Sequence, residues 1–194
     1  MYTRSIKFAL AATVMALGVQ GSLAAGEHVP AVKDYASANI MPWISDGAVV
    51  AAIAAQNKAN SALTQAEIDA LDQKWRAGVD GGDTTLIDAV LGNSLSDFLR
   101  DKQMASNGVI TEIFVMDSKG LNVGQSEVTS DYWQGDEGKW KKTYGSGDAA
   151  AIFVDEAEKD ESTQMLQSQV SMTIADASGA PIGAITIGIN LNEL

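Results

Sequence analysis

The apolar positions of this chain change period near its middle. From Pro42 to Asn60 an Ala-rich run places Ile44, Ala48, Val49, Ala52 and Ile53 on one side of a helical repeat. Pro42 suits the first turn, where a missing N–H costs no hydrogen bond. Thr64-Gln65-Ala66-Glu67 is a capping-box pattern ahead of Ile68, Leu71 and Trp75, and predicts a second helix from Thr64. Gly81-Gly82 breaks the repeat, Leu86 to Leu91 and Leu95 to Met104 read as two more helices, and Asn107-Gly108 is a stop. A polar lead containing His28 and Pro30 precedes all of these.

Beyond Gly108 the period falls to two. Val109 to Asp117 is rich in β-branched and aromatic residues, and the turn Asp117-Ser118-Lys119-Gly120 joins it to Leu121 to Ser126 as a hairpin. Ala150 to Glu158 reads as a third strand and Thr163 to Asp176 as a fourth. The turn Asp176-Ala177-Ser178-Gly179 leads into a fifth, Pro181 to Leu191. In the fourth strand Leu166, Val170, Met172 and Ile174 share one face, while Gln167, Gln169, Ser171 and Thr173 share the other. The fifth sets Ile185, Ile187, Ile189 and Leu191 against Ala184, Thr186 and Gly188. One sheet face is therefore apolar, and the Ala-rich helix is its natural cover. The other face is small and polar. It either meets water or lines a cavity roofed by the connection between strands two and three.

The first 25 residues stand apart. Arg4 and Lys7 precede an apolar stretch from Phe8 to Val19, and small residues at Ser22 to Ala25 supply a cleavage site, the pattern of a secretory signal peptide. The expected mature part, 26–194, is a single domain with a helical part over 31–107 and a sheet core over 108–194. Without the leader, which holds two of the 13 basic residues and none of the 25 acidic ones, the formal charge is about −14, a sign that argues against nucleic-acid or anionic-membrane partners. A soluble acidic chain behind such a leader is expected in the periplasm. The absence of Cys is compatible with that compartment.

The densest chemistry lies between Asp131 and Tyr144. Tyr132, Trp133, Trp140 and Tyr144 are interleaved there with Asp131, Asp136, Glu137, Lys139, Lys141 and Lys142. Aromatic walls with a few oriented charges are what a small-molecule pocket requires, and three of the 13 basic residues fall here, so an anionic group is the expected guest. The plainer alternative is a surface helix with Asp136–Lys139 and Glu137–Lys141 pairs, each contributing about 0.2–0.5 kcal/mol. Gln167 and Gln169 are the polar-face side chains best able to join such a site. The acidic run Asp155 to Glu161 offers carboxylates, but its spacing matches no calcium loop and a solvated strand end is expected, with no metal and no cofactor. No thiol exists, and the one His lies near the mature N-terminus, so the chain is not expected to be an enzyme.

A long helix packed on a five-stranded antiparallel sheet, with a decorated connection between strands two and three, resembles the PAS-like sensor domains called Cache or PDC. The hairpin EIFVMDSKGLNVGQS, the loop TSDYWQGDEGKW with Tyr144 after it, and the closing hairpin SQVSMTIADASGAPIGAITIGINL carry the resemblance. It covers most of the mature chain, and its specific part is Val109 to Leu191. It implies an α+β fold of that type with additional helices. It also implies a pocket between sheet and loop for an amino acid, carboxylate or amine, bounded by Asp131, Tyr132, Trp133, Asp136, Lys139, Trp140, Tyr144, Gln167 and Gln169. The expected function is a freestanding periplasmic sensor that reports occupancy to a membrane-bound kinase, chemoreceptor or cyclase, or dimerises through its N-terminal helix. The alternative is a ligand-free interaction module of the same fold.

Overall fold

The structure, a computed structural model, describes residues 26–159 and 165–194. The expected leader, the end of the acidic run at Asp160 and Glu161, and the first residues of the predicted fourth strand lie outside them.

The chain is helical from α1 (Val29–Tyr35) onward, earlier than the polar lead suggests, because Pro30 falls within the first turn. A π-helical turn over Ala36–Ile40 joins α1 to α2 (Met41–Ile44). The single helix expected over Pro42 to Asn60 is in fact divided. Ser45 leaves helical geometry and Asp46 accepts a hydrogen bond from the Ala48 N–H at 2.8 Å, capping α3 (Gly47–Ala59). Asp46 thus starts a new helix at an angle, and the two arms are bent by 71°. Among the described residues no single helix is long and apolar enough to cross a membrane.

The capping box forms as predicted at the start of α4 (Gln65–Val79), with the Thr64 N–H donating to Glu67 at 2.8 Å. Two shorter helices follow, α5 (Thr85–Leu91) and α6 (Ser94–Ala105). The strands are β1 (Ile110–Met116), β2 (Asn122–Gln125), β3 (Ile152–Val154), β4 (Glu158–Lys159), β5 (Leu166–Ala175) and β6 (Pro181–Asn190). They form one open antiparallel sheet in the order β2-β1-β6-β5-β3, with β4 also paired to β5. The predicted third strand is therefore interrupted: Val154 pairs with Val170 and Glu158 with Gln167, and Asp155 to Ala157 bulge out between them.

The alternation in β5 and β6 divides the molecule. On one face Val170, Met172, Ile174, Ile185, Ile187 and Ile189 are buried with Ile113 and Val115 of β1. Val32, Ile40, Ile44, Val49 and Ile53 from the N-terminal helices, and Leu95 and Leu99 from α6, cover them. His28 belongs to this arrangement. It is buried, and its Nε2 donates to the Asp155 carbonyl at 2.8 Å, tying the start of the helical layer to the bulge at the sheet edge. The opposite face carries Phe114, Met116, Ser171, Thr173, Ala184 and Thr186, all buried, so this face is largely roofed instead of open to water.

Candidate functional site

The roof is the connection between β2 and β3, and it docks in two unlike halves. In the first half the α4 carboxylate of Asp72 accepts from the backbone N–H groups of Tyr132 and Trp133, at 2.8 and 3.0 Å, and pairs with Arg76 at 2.7 Å. Arg76 also reaches Asp131 at 3.1 Å. Tyr132 stacks on buried Trp75 with ring centroids 5.3 Å apart, and the Trp75 indole donates to the Thr129 carbonyl at 2.8 Å. Burial, with the Asp117 charge adding to it, pushes the Tyr132 phenol well above its usual range. The Asp131 carbonyl accepts from Asn122, Thr129 and Gln134. Trp133 donates to the Lys119 carbonyl at 2.8 Å and lies over Gly135, where a Cβ would stand 2.4 Å from the indole nitrogen. Gly120, at φ +81, meets Gly135 backbone to backbone, a contact no side chain would permit. This half closes a second apolar cluster with Ile68, Ile87, Val90 and Leu121.

In the second half, a short helix α7 (Gly138–Lys141) and a 3₁₀ turn at Tyr144–Ser146 lie over the polar face of the sheet. Trp140 and Tyr144 pack on Phe114, Met116 and Ala184, and the Trp140 indole donates to the Asp117 carbonyl at 3.1 Å. The Lys139 ammonium sits 5.3 Å from the Phe114 ring centroid and pairs with Glu137 at 2.9 Å. Lys142 lies over Phe153 at 3.9 Å. The surface-helix pairs Asp136–Lys139 and Glu137–Lys141 do not form. Lys139 reaches Glu137 instead, and Lys141 donates to the Asp136 carbonyl.

Between this half and the β3-β4 edge a cleft of about 270 Å³ opens on the polar face. Lys139, Gln167, Ser168 and Gln169 line it. So do four carboxylates, those of Glu137, Asp155, Glu156 and Glu158. Beside it the sheet face is shaped by a glycine. Gly188 lies opposite both Glu112 and Gln169 in the sheet register, and a Cβ there would stand 2.3 Å from Thr111 Oγ1 and 2.8 Å from the Glu112 Cγ. The bare backbone lets the Glu112 side chain cross β6 and accept from Gln169 Nε2 at 2.8 Å. Ser168 donates to the Asp155 carbonyl at 2.8 Å, which His28 also engages.

Of the nine residues singled out by sequence, the structure brings Lys139, Gln167 and Gln169 to one cleft. Trp140 and Tyr144 pack on the adjoining sheet face, whereas Asp131, Tyr132 and Trp133 turn toward α4 and saturate their hydrogen bonds there. Asp136 is exposed. Sequence reasoning passed over Glu112, whose role depends on the register of β1 against β6, and treated Glu156 and Glu158 as a solvated strand end. Among the described residues no three His, Cys, Asp or Glu side chains converge as a metal site.

No family model and no curated protein sequence matches the chain. Among solved structures it is similar to the sensor domain of the V. cholerae histidine kinase DctB, at 15% identity and a TM-score of 0.48, over 86% of this chain and 52% of that one. It is also similar to the ligand-binding domain of the Campylobacter jejuni chemoreceptor Tlp3 in complex with 4-methylisoleucine, at 15% identity and a TM-score of 0.41, over 83% and 53%. A third is the ligand-binding domain of the Pseudomonas aeruginosa PAO1 amino acid chemoreceptor PctC in complex with GABA, at 11% identity and a TM-score of 0.39, over 66% and 62%. The chain thus spans about half the length of the first two. With β1, β6 and β5 at the centre of the sheet, the N-terminal helices across one face and a long β2-β3 connection across the other, the fold is α+β with a PAS-like arrangement of layers.

Proposed function

We propose that this chain is a periplasmic sensor domain that holds a small polar molecule between β5 and the second half of the β2-β3 connection. It would report occupancy to a membrane-bound kinase, chemoreceptor or cyclase. The observation that carries this reading is the cleft itself, a concave site of about 270 Å³ with fixed polar groups, on a sheet face that is otherwise filled. Lys139, Gln167 and Gln169 are the contacts from the original set. Occupancy acts by population shift, favouring the arrangement in which α7 closes on the sheet. A route outward exists. Trp140 of α7 holds the Asp117 carbonyl, and the Asp117 carboxylate accepts from Gln56 and Asn60 at the end of α3, at 3.1 and 2.9 Å. No covalent chemistry is involved.

The test is a thermal-shift screen of the mature chain from Gly26 against amino acids, organic acids, amines and calcium with a chelator control. A ligand at about 100 times its dissociation constant adds about 2.7 kcal/mol and raises the melting temperature by several degrees. A shift with one chemical class, abolished in a folded Gln169→Leu variant, supports the reading. No shift with any class, together with no co-purified small molecule in native mass spectrometry, overturns it in favour of an interaction module.

A further inference from the structure

The cleft has a definite chemical polarity, opposite to the one its lysines suggest in sequence. Lys139 is the cation that lines it, and its ammonium is already engaged by Glu137 at 2.9 Å and by the Phe114 ring. One N–H of the Gln169 amide is committed to Glu112 at 2.8 Å, which leaves its carbonyl oxygen and one N–H for the cleft. The Ser168 hydroxyl, on the helix-covered face of β5, donates to the Asp155 carbonyl beside His28 and offers the cleft nothing. Among the described lining side chains, the donors left are Gln167, the second Gln169 N–H and the remaining N–H groups of Lys139. The acceptors are in excess: Asp155, Glu156 and Glu158, with Glu112 just behind Gln169. A free carboxylate placed here would meet four acidic residues against the single ammonium of Lys139. An alkylammonium group would find acceptors on several sides.

We infer that the ligand of this cleft is a small organic cation, a primary amine or short diamine, and that a free carboxylate is excluded. The inference rests on the sensor reading above and narrows it. The volume of about 270 Å³ lies just below the range of drug-sized sites, which suits a chain of a few carbons. A metal ion is the poorer occupant, because among the described residues no three ligating side chains converge. Glu112 gives the site its fixed element. It is held across Gly188 by the register of three strands, so the Gln169 carbonyl is oriented before any ligand arrives.

Isothermal titration of the mature chain with putrescine, butylamine, butyrate, alanine and calcium chloride tests this. Binding of putrescine or butylamine that weakens in about tenfold higher salt supports the inference. In that case Glu158→Gln, at an exposed edge and not expected to disturb folding, weakens amine binding by about threefold. Lys139→Gln removes the competing cation and tightens amine binding by about twofold, whereas it abolishes binding of a carboxylate ligand. Binding of butyrate or alanine without the amines overturns the inference and leaves the sensor reading standing. Calcium binding alone overturns it in favour of a metal. No binding by any probe, with no response in the wider thermal-shift screen, overturns both.

Discussion

The two halves of the β2-β3 connection are built from the same residue types and do different work. From Asp131 to Trp133 the groups are held by other parts of the protein: Asp131 has Arg76, Tyr132 has Trp75, and the Tyr132 and Trp133 amides have Asp72. From Glu137 to Tyr144 the segment rests on the sheet through ring faces and one indole hydrogen bond, keeps its ion pair internal, and leaves a cleft at its margin. Aromatic and charged density in a loop therefore indicates that something is held, but not whether the thing held is a ligand or the protein's own helix. Saturation of hydrogen bonds separates the two cases, and only the register of the folded chain reveals it.

The largest expected effect comes from attacking the first half. Trp75→Ala removes a fully buried ring that stacks on Tyr132 and caps the Thr129 carbonyl, and it should cost about 3–5 kcal/mol in urea unfolding. If this half is structural, the variant that remains folded keeps its ligand affinity. Asp72→Ala leaves two backbone N–H groups without their acceptor and Arg76 with Asp131 alone, and should cost about 1–3 kcal/mol, again without a change in ligand affinity. A large loss of binding in either variant would break the distinction.

Gly188→Ala approaches the second half from beneath. The added methyl displaces Glu112, so it should cost about 1–2 kcal/mol in stability and weaken ligand binding more than either first-half variant does. Equal binding in the variant and the parent would show that the Glu112–Gln169 bond does not set the cleft.

The smallest effect is a control outside both halves. Hydrogen bonds from the Thr64 backbone, then from its side chain, hold the exposed Glu67 carboxyl below the usual carboxylate range. A depressed folded value stabilises above the unfolded range and is lost as pH falls through the folded value. Glu67→Ala should therefore lower the melting temperature slightly at neutral pH. The difference should close in acid, with binding at the cleft untouched.

Much of the fold was legible because it is written in local periodicity. The capping box at Thr64 and Glu67, the hairpin turns at Asp117 and Asp176, and the alternation along β5 and β6 each depend on residues a few positions apart. The break at Asp46 had a signal, a strong N-cap residue before Gly47, which the continuing Ala-rich spacing masked. Burial of His28 had none, since its partner is a carbonyl 127 positions away. The site was half legible for the same reason. Gln167 and Gln169 follow from strand alternation, whereas the meeting of Glu112 with Gln169 over Gly188 needs three strands in register. Irregular loops carry no period, so the division between Gln134 and Glu137 had no counterpart in spacing.

The interrupted edge strand has a consequence beyond the cleft it borders. A sheet edge that is long, flat and regular offers its unpaired N–H and C=O groups to any other extended chain, and so invites aggregation. Here β3 runs for only three residues before the bulge, and β4 beyond it is the exposed pair Glu158 and Lys159. At the other edge, β2 is four residues long, and the Leu121–Trp133 bridge and the Asn122 N–H bond to the Tyr132 carbonyl cover its start. Among the described residues the sheet thus presents no continuous template on either side. A folded domain without disulfides is in this way kept from recruiting its own copies strand to strand.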